Sequence, residues 1–146
     1  MATAEQLQTD LHNAMKARAA AKVSVLRDVI AAIKNLKVEK MIATVPEADI
    51  VVLVRREINK RNEAAEFARK ANRPELVEKN EQERTILEAY LPQQLDATQL
   101  EAVIQALAAE LGSVQIGPLM AKLRERHAGT YDGKLASELI KKLAAG

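Results

Sequence analysis

The residues best placed to do chemistry lie near the end of the chain. Between Pro118 and the C-terminus stand six cations: Lys122, Arg124, Arg126, Lys134, Lys141 and Lys142. Only three carboxylates oppose them there, Glu125, Asp132 and Glu138. Cations at this density suit a phosphate backbone, where affinity comes from neutralised charge. Lys122 and Arg126 are four apart and share a helical face, and Lys134 and Lys141 share another. If the two helices pack antiparallel, the patches merge. The plainer alternative is two solvated amphipathic faces. Only Tyr131 interleaves an aromatic ring with these cations, so base stacking is not expected. Recognition of a folded RNA by shape and phosphate fits better.

A second group stands in the first half of the chain, Arg55, Arg56, Lys60 and Arg61. Arg56 and Lys60 share a face and are expected to be exposed as further RNA-binding candidates. Glu57 and Arg61 lie beside an apolar stripe and are predicted to form a structural ion pair.

Other chemistries lack their residues. The chain has no cysteine, which excludes disulfides, thiolate zinc sites and cysteine-based glutaminase chemistry. Its two histidines, His12 and His127, fall in different predicted domains. Neither lies within helical reach of a carboxylate pair, so no metal site is predicted. The three serines, Ser24, Ser113 and Ser137, fit no nucleophile elbow or amidase pattern, and no phosphate-binding loop is present. No catalytic residue, cofactor or metal is therefore expected. Glu78, Glu81 and Glu83 are expected on a solvated face.

The elements that must position these residues are helical. Of 146 residues 48% are hydrophobic but only 2% aromatic, so alanine and branched aliphatics must supply the core. Leu7, Leu11 and Ala14 open a first helix, from about Thr3 to Ala20. Val25, Leu26, Val29, Ile30 and Ile33 form the stripe of a second, to about Met41, with a bend expected at Ala19-Ala20-Ala21. Pro46 restarts the chain as a long helix to about Asn72, and Pro74 starts another that ends before Pro92. Pro92-Gln93-Gln94-Leu95 reads as a linker. Asp96 and Gln99 then make a capping box. Pro118 is predicted to open the next helix at its first position, with Gly129 ending it in a left-handed cap. Asp132 should N-cap the last helix, with Gly133 and Lys134 in its first turn. The fold class is all-α: a long-helix N-terminal domain over 1–92, then a compact three-helix domain over 96–146. The opening Met1-Ala2-Thr3-Ala4-Glu5 lacks a basic leader, and no apolar run reaches spanning length. A cytoplasmic protein with no membrane partner is expected.

Gly117-Pro118-Leu119-Met120, followed by Gly129-x-x-Asp132-Gly133-Lys134-Leu135-x-x-Glu138-Leu139-Ile140, resembles the C-terminal signature of the GatB/YqeY family. Matches earlier in the chain are Val25-Leu26-Arg27, Ala32-Ile33-Lys34-Asn35, Arg56-Glu57, Lys60-Arg61 and Ile86 through Pro92. Pro74 departs from the pattern, where an acidic residue is commoner, and should affect only the helix start. The resemblance implies two helical domains, the second similar to the tail of the tRNA-binding GatB subunit of bacterial tRNA amidotransferases. It implies contact with tRNA or aminoacyl-tRNA; an aminoacyl-tRNA synthetase or amidotransferase is the partner of the adaptor alternative. The family is linked to carbon–nitrogen ligation with glutamine as amide donor, but the residues of that chemistry lie outside the tail. The expected function is a tRNA-binding accessory protein of amidotransferase machinery. The alternative is a helical adaptor that docks on a synthetase or amidotransferase.

Overall fold

Seven helices and no strand are present among the described residues of the computed structural model, which covers 3–146. Met1 and Ala2, part of the stretch read for a leader, lie outside the described residues. The chain divides into two compact units, Met1–Pro92 and Gln93–Gly146.

In the first unit, α1 (Ala4–Lys16) opens where the Thr3 hydroxyl accepts from the Gln6 N–H at 3.1 Å. This satisfies one of the donors that a helix start leaves free. The expected bend is a full break, and α1 ends at Lys16, four residues earlier than Ala20. Arg18 adopts φ 56°, and the Ala19 N–H closes on the Ala14 carbonyl. α2 (Ala20–Lys40) buries Val25, Leu26, Val29, Ile30 and Ile33. Pro46 precedes α3 (Glu47–Lys70), whose 24 residues make it about 36 Å long. Pro74 takes the first position of α4 (Pro74–Glu88), where a proline loses no helical hydrogen bond. The most extensive packing is α3 on α4, then α1 on α2. Their stripes meet in one core around Leu7, Leu26, Ile50, Val54 and Leu87.

The second unit holds α5 (Ala97–Leu111), α6 (Ile116–His127) and α7 (Gly133–Ala145). The Asp96–Gln99 capping box is present in both directions, at 2.7 and 3.0 Å. Gly112, at φ 72°, ends α5 in the left-handed region that glycine enters without penalty. Leu100, Ile104, Leu119, Leu123, Ala136 and Ile140 form a separate core.

Two boundaries differ from expectation. α6 begins at Ile116, so Pro118 is its third residue rather than its first. That position is tolerated because none of the first four N–H groups has a helical partner. Gly129 does not make a left-handed helix cap. Ala128 is extended (φ −50°, ψ 130°), Gly129 has φ 77°, and the Thr130 N–H returns to the His127 carbonyl at 3.1 Å. This is a type II turn, which requires positive φ at its third residue. The expected linker is also shorter. The Gln94 amide donates to the Gly129 carbonyl and the Leu95 N–H to the Thr130 carbonyl, each at 2.7 Å. Both residues therefore belong to the second unit and hold its bend in place.

Candidate nucleic-acid interface

The bend sets the start of α7. Asp132 is extended, and its Oδ1 accepts from the Lys134 backbone N–H at 3.0 Å. Gly133 and Lys134 occupy the first turn, as the sequence predicts. The Asp132 carboxylate thus takes a donor that an incoming phosphate would otherwise use. Lys134 is left with an exposed ammonium and no ion pair among the described residues. Lys141 and Lys142, in the last turns of the same helix, are exposed and likewise unpaired. Lys142 borders a small groove shared with Glu101, Ile104, Leu139 and Leu143. Tyr131 packs against the core of this unit, which commits its ring to structure.

The α6 cations stand differently. Arg126 forms a two-pronged pair with Glu110 of α5, both N···O distances 2.6 Å. The hydrogen bond from Arg126, then the charges of Arg126 and Lys122, hold the Glu110 carboxyl below its usual range. The same hydrogen bond raises the Arg126 guanidinium. Lys122 lies 3.8 Å from Glu125. The Lys122–Arg126 face is therefore balanced by Glu110 and Glu125. The sequence count missed this because Glu110 lies outside the segment that carries the excess. Arg124 is exposed and unpaired among the described residues.

In the first unit Arg56 is exposed and has no ion pair among the described residues, while exposed Lys60 binds Glu57 at 2.9 Å. The Glu57–Arg61 pair forms at 3.2 Å, as predicted, but belongs to a larger cluster. Arg61 also reaches Asp28 of α2 at 2.7 Å and Glu83 of α4 at 3.6 Å. Burial alone would lower the Arg61 guanidinium. The bond to Asp28 and the charges of Glu57 and Glu83 more than offset that and raise it. One guanidinium thus ties three helices, using the fork that makes arginine the suited cation for buried pairs. Glu83 is buried, which corrects its expected solvated position. The packing of α4 on α3 turns that polar stretch inward at one point.

A second polar contact had no sequence signal. The Tyr90 hydroxyl donates to Asp10 Oδ2 at 2.5 Å, across eighty residues. Burial first, then the hydrogen bond and charge of Asp10, push the phenol far above its ordinary value.

No group of three or more metal-ligating side chains occurs among the described residues. No single helix among them is long and apolar enough to cross a membrane. The molecule is, by class, an all-helical protein in two units, with unpaired cations on a helix–bend–helix. The family model for YqeY-like proteins matches residues 4–144, nearly the whole chain, and the protein belongs to that family. A protein of Vanderwaltozyma polyspora described as altered inheritance of mitochondria protein 41, mitochondrial, is 27% identical over 142 residues. The match covers 92% of this chain and 76% of that protein.

Proposed function

We propose that this protein is a tRNA-binding accessory factor related to glutamine-dependent tRNA amidotransferase machinery, without catalytic chemistry of its own. The observation that carries the reading is the bend of the second unit. Its architecture is fixed by Asp132, Gln94, Leu95 and the Lys134 backbone N–H, which leaves the Lys134 ammonium uncommitted. Lys141, Lys142 and Arg124 add unpaired charge on the same unit. A rigid scaffold with uncommitted cations suits phosphate contacts that position an RNA without reading its bases. The resemblance of this unit to the GatB tail supports tRNA or aminoacyl-tRNA as the RNA. In this reading the protein works in the cytoplasm, beside an aminoacyl-tRNA synthetase or amidotransferase.

A gel shift of the purified protein with total tRNA at low ionic strength tests it. Binding that weakens in Lys134→Ala/Lys141→Ala supports the reading. Absence of any shift, or turnover of glutamine by the purified chain alone, contradicts it.

One observation favours an adaptor instead. Phe67, the only phenylalanine, is 72% exposed on α3. Val52, 50% exposed and fifteen residues earlier, lies on the same face. An exposed aromatic on a long helix suits a protein partner. A pull-down that retains a synthetase or amidotransferase after nuclease treatment, and loses it in Phe67→Ala, would favour the adaptor.

A further inference from the structure

A cleft of about 590 Å³ opens in the first unit where α1 breaks and α2 begins. Its lining is mixed: Met15, Ala20 and Val23 are apolar, and Arg18, Ser24, Arg27 and Asp28 are polar or charged. Neither arginine makes an ion pair or a side-chain hydrogen bond among the described residues. The one carboxylate in the cleft is already engaged, since Asp28 Oδ2 lies 2.7 Å from buried Arg61. Two arginines without an ion pair among the described residues therefore line the same opening, and its one carboxylate, Asp28, is already held by Arg61. Guanidinium forks match the paired oxygens of a phosphate. The apolar residues offer a surface for a flat ring, and Met15 is 49% exposed there.

We propose that this cleft binds a nucleotide unit, with its phosphate on Arg18 and Arg27 and its base against Met15 and Val23. The phosphate is a monoester in a free nucleotide or a diester in an RNA strand. The inference does not rest on tRNA binding by the second unit, because a different unit and different cations carry it.

Amide spectra of isotope-labelled full chain, titrated separately with AMP, adenosine and a short single-stranded oligoribonucleotide, test the assignment. The expected result is saturable shifts confined to residues 15–28 with AMP, the oligonucleotide or both, and none with adenosine. Arg18→Gln/Arg27→Gln should weaken that binding at least tenfold, as a pair of charge-assisted contacts requires. Saturation by AMP, with AMP displacing the oligonucleotide, identifies a free nucleotide as a fitting occupant. Saturation by the oligonucleotide alone identifies an RNA strand. Shifts with neither probe, equal shifts with adenosine, or affinity unchanged in the double variant each overturn the proposal. Both arginines are on the surface, so unchanged amide dispersion verifies that the variant folds. Lys134→Ala/Lys141→Ala should leave this titration unchanged, which separates its failure from failure of the tRNA reading.

Discussion

Arg126 of α6 grips Glu110 of α5 through both of its terminal nitrogens, at 2.6 Å each. The pair spans two helices and leaves Arg126 with a local carboxylate to satisfy before any phosphate. Within the proposed interface Arg126 is therefore a weak contributor, and Glu110 opposes an anionic partner.

Glu110→Gln should free Arg126 and tighten tRNA binding by about threefold, the effect of removing one surface charge opposite an anion. Arg126→Ala should weaken binding less than Lys134→Ala. Fluorescence anisotropy with labelled tRNA reads both. The pair also has a pH signature. The Glu110 carboxyl is lowered on folding, so its contribution is present above the ordinary carboxylate range. That contribution is lost as pH falls through the lowered value. Acid titration should show Glu110 protonating below the range typical of glutamates, and Arg126→Ala should restore it.

The Arg61 cluster sets a larger effect. Arg61→Met removes the guanidinium that meets Glu57, Glu83 and Asp28 together. Two of those carboxylates are buried, so the change should cost about 3 kcal/mol in urea unfolding. Arg61→Met/Glu57→Met/Glu83→Leu should recover much of that loss, because apolar replacement of a whole buried cluster is often neutral. A triple variant no more stable than the single one would contradict this account of the cluster.

How far the sequence revealed this arrangement depended on range. Local signals carried well. Asp96 with Gln99, and Asp132, each specify a helix start through a side chain only a few residues away, and Pro46 marks one through its fixed backbone geometry. The Glu57–Arg61 pair was equally visible, since four residues make one helical step. What failed was the pairing of distant elements. Nothing near Glu83 marks it as buried, because its burial depends on how α4 rotates against α3. Asp10 and Tyr90 are eighty apart, and Glu110 and Arg126 sixteen. A count of charges along the chain could not cancel the latter pair. Pro118 was misplaced by two residues, because proline fits several positions in a first turn.

At the bend, structure and binding should separate. Asp132→Ala removes the cap on α7 and should cost about 1 kcal/mol. Lys134→Ala should leave stability nearly unchanged while weakening tRNA binding. Thermal unfolding and anisotropy on both variants decide it. A thermally silent Asp132→Ala would show that the carboxylate does not hold this helix start.

Tyr90→Phe deletes the hydroxyl that meets Asp10 and should cost about 1 kcal/mol. Because the phenol is raised on folding, its stabilisation is present below the ordinary tyrosine value. It fades as pH rises above that value toward the folded one. Wild type should therefore lose its stability advantage over Tyr90→Phe in strongly alkaline urea melts. An advantage undiminished by alkali would contradict the linkage.

The central claim, that uncommitted cations of the second unit hold tRNA, is tested most directly by a salt series. Anisotropy of labelled tRNA should be measured across sodium chloride concentrations for wild type and for Arg124→Ala/Lys134→Ala/Lys141→Ala/Lys142→Ala. The account predicts at least a tenfold loss of affinity at low salt. It also predicts a log–log salt slope shallower by about one per phosphate contact removed. Equal affinity and equal slope in the two proteins would contradict it.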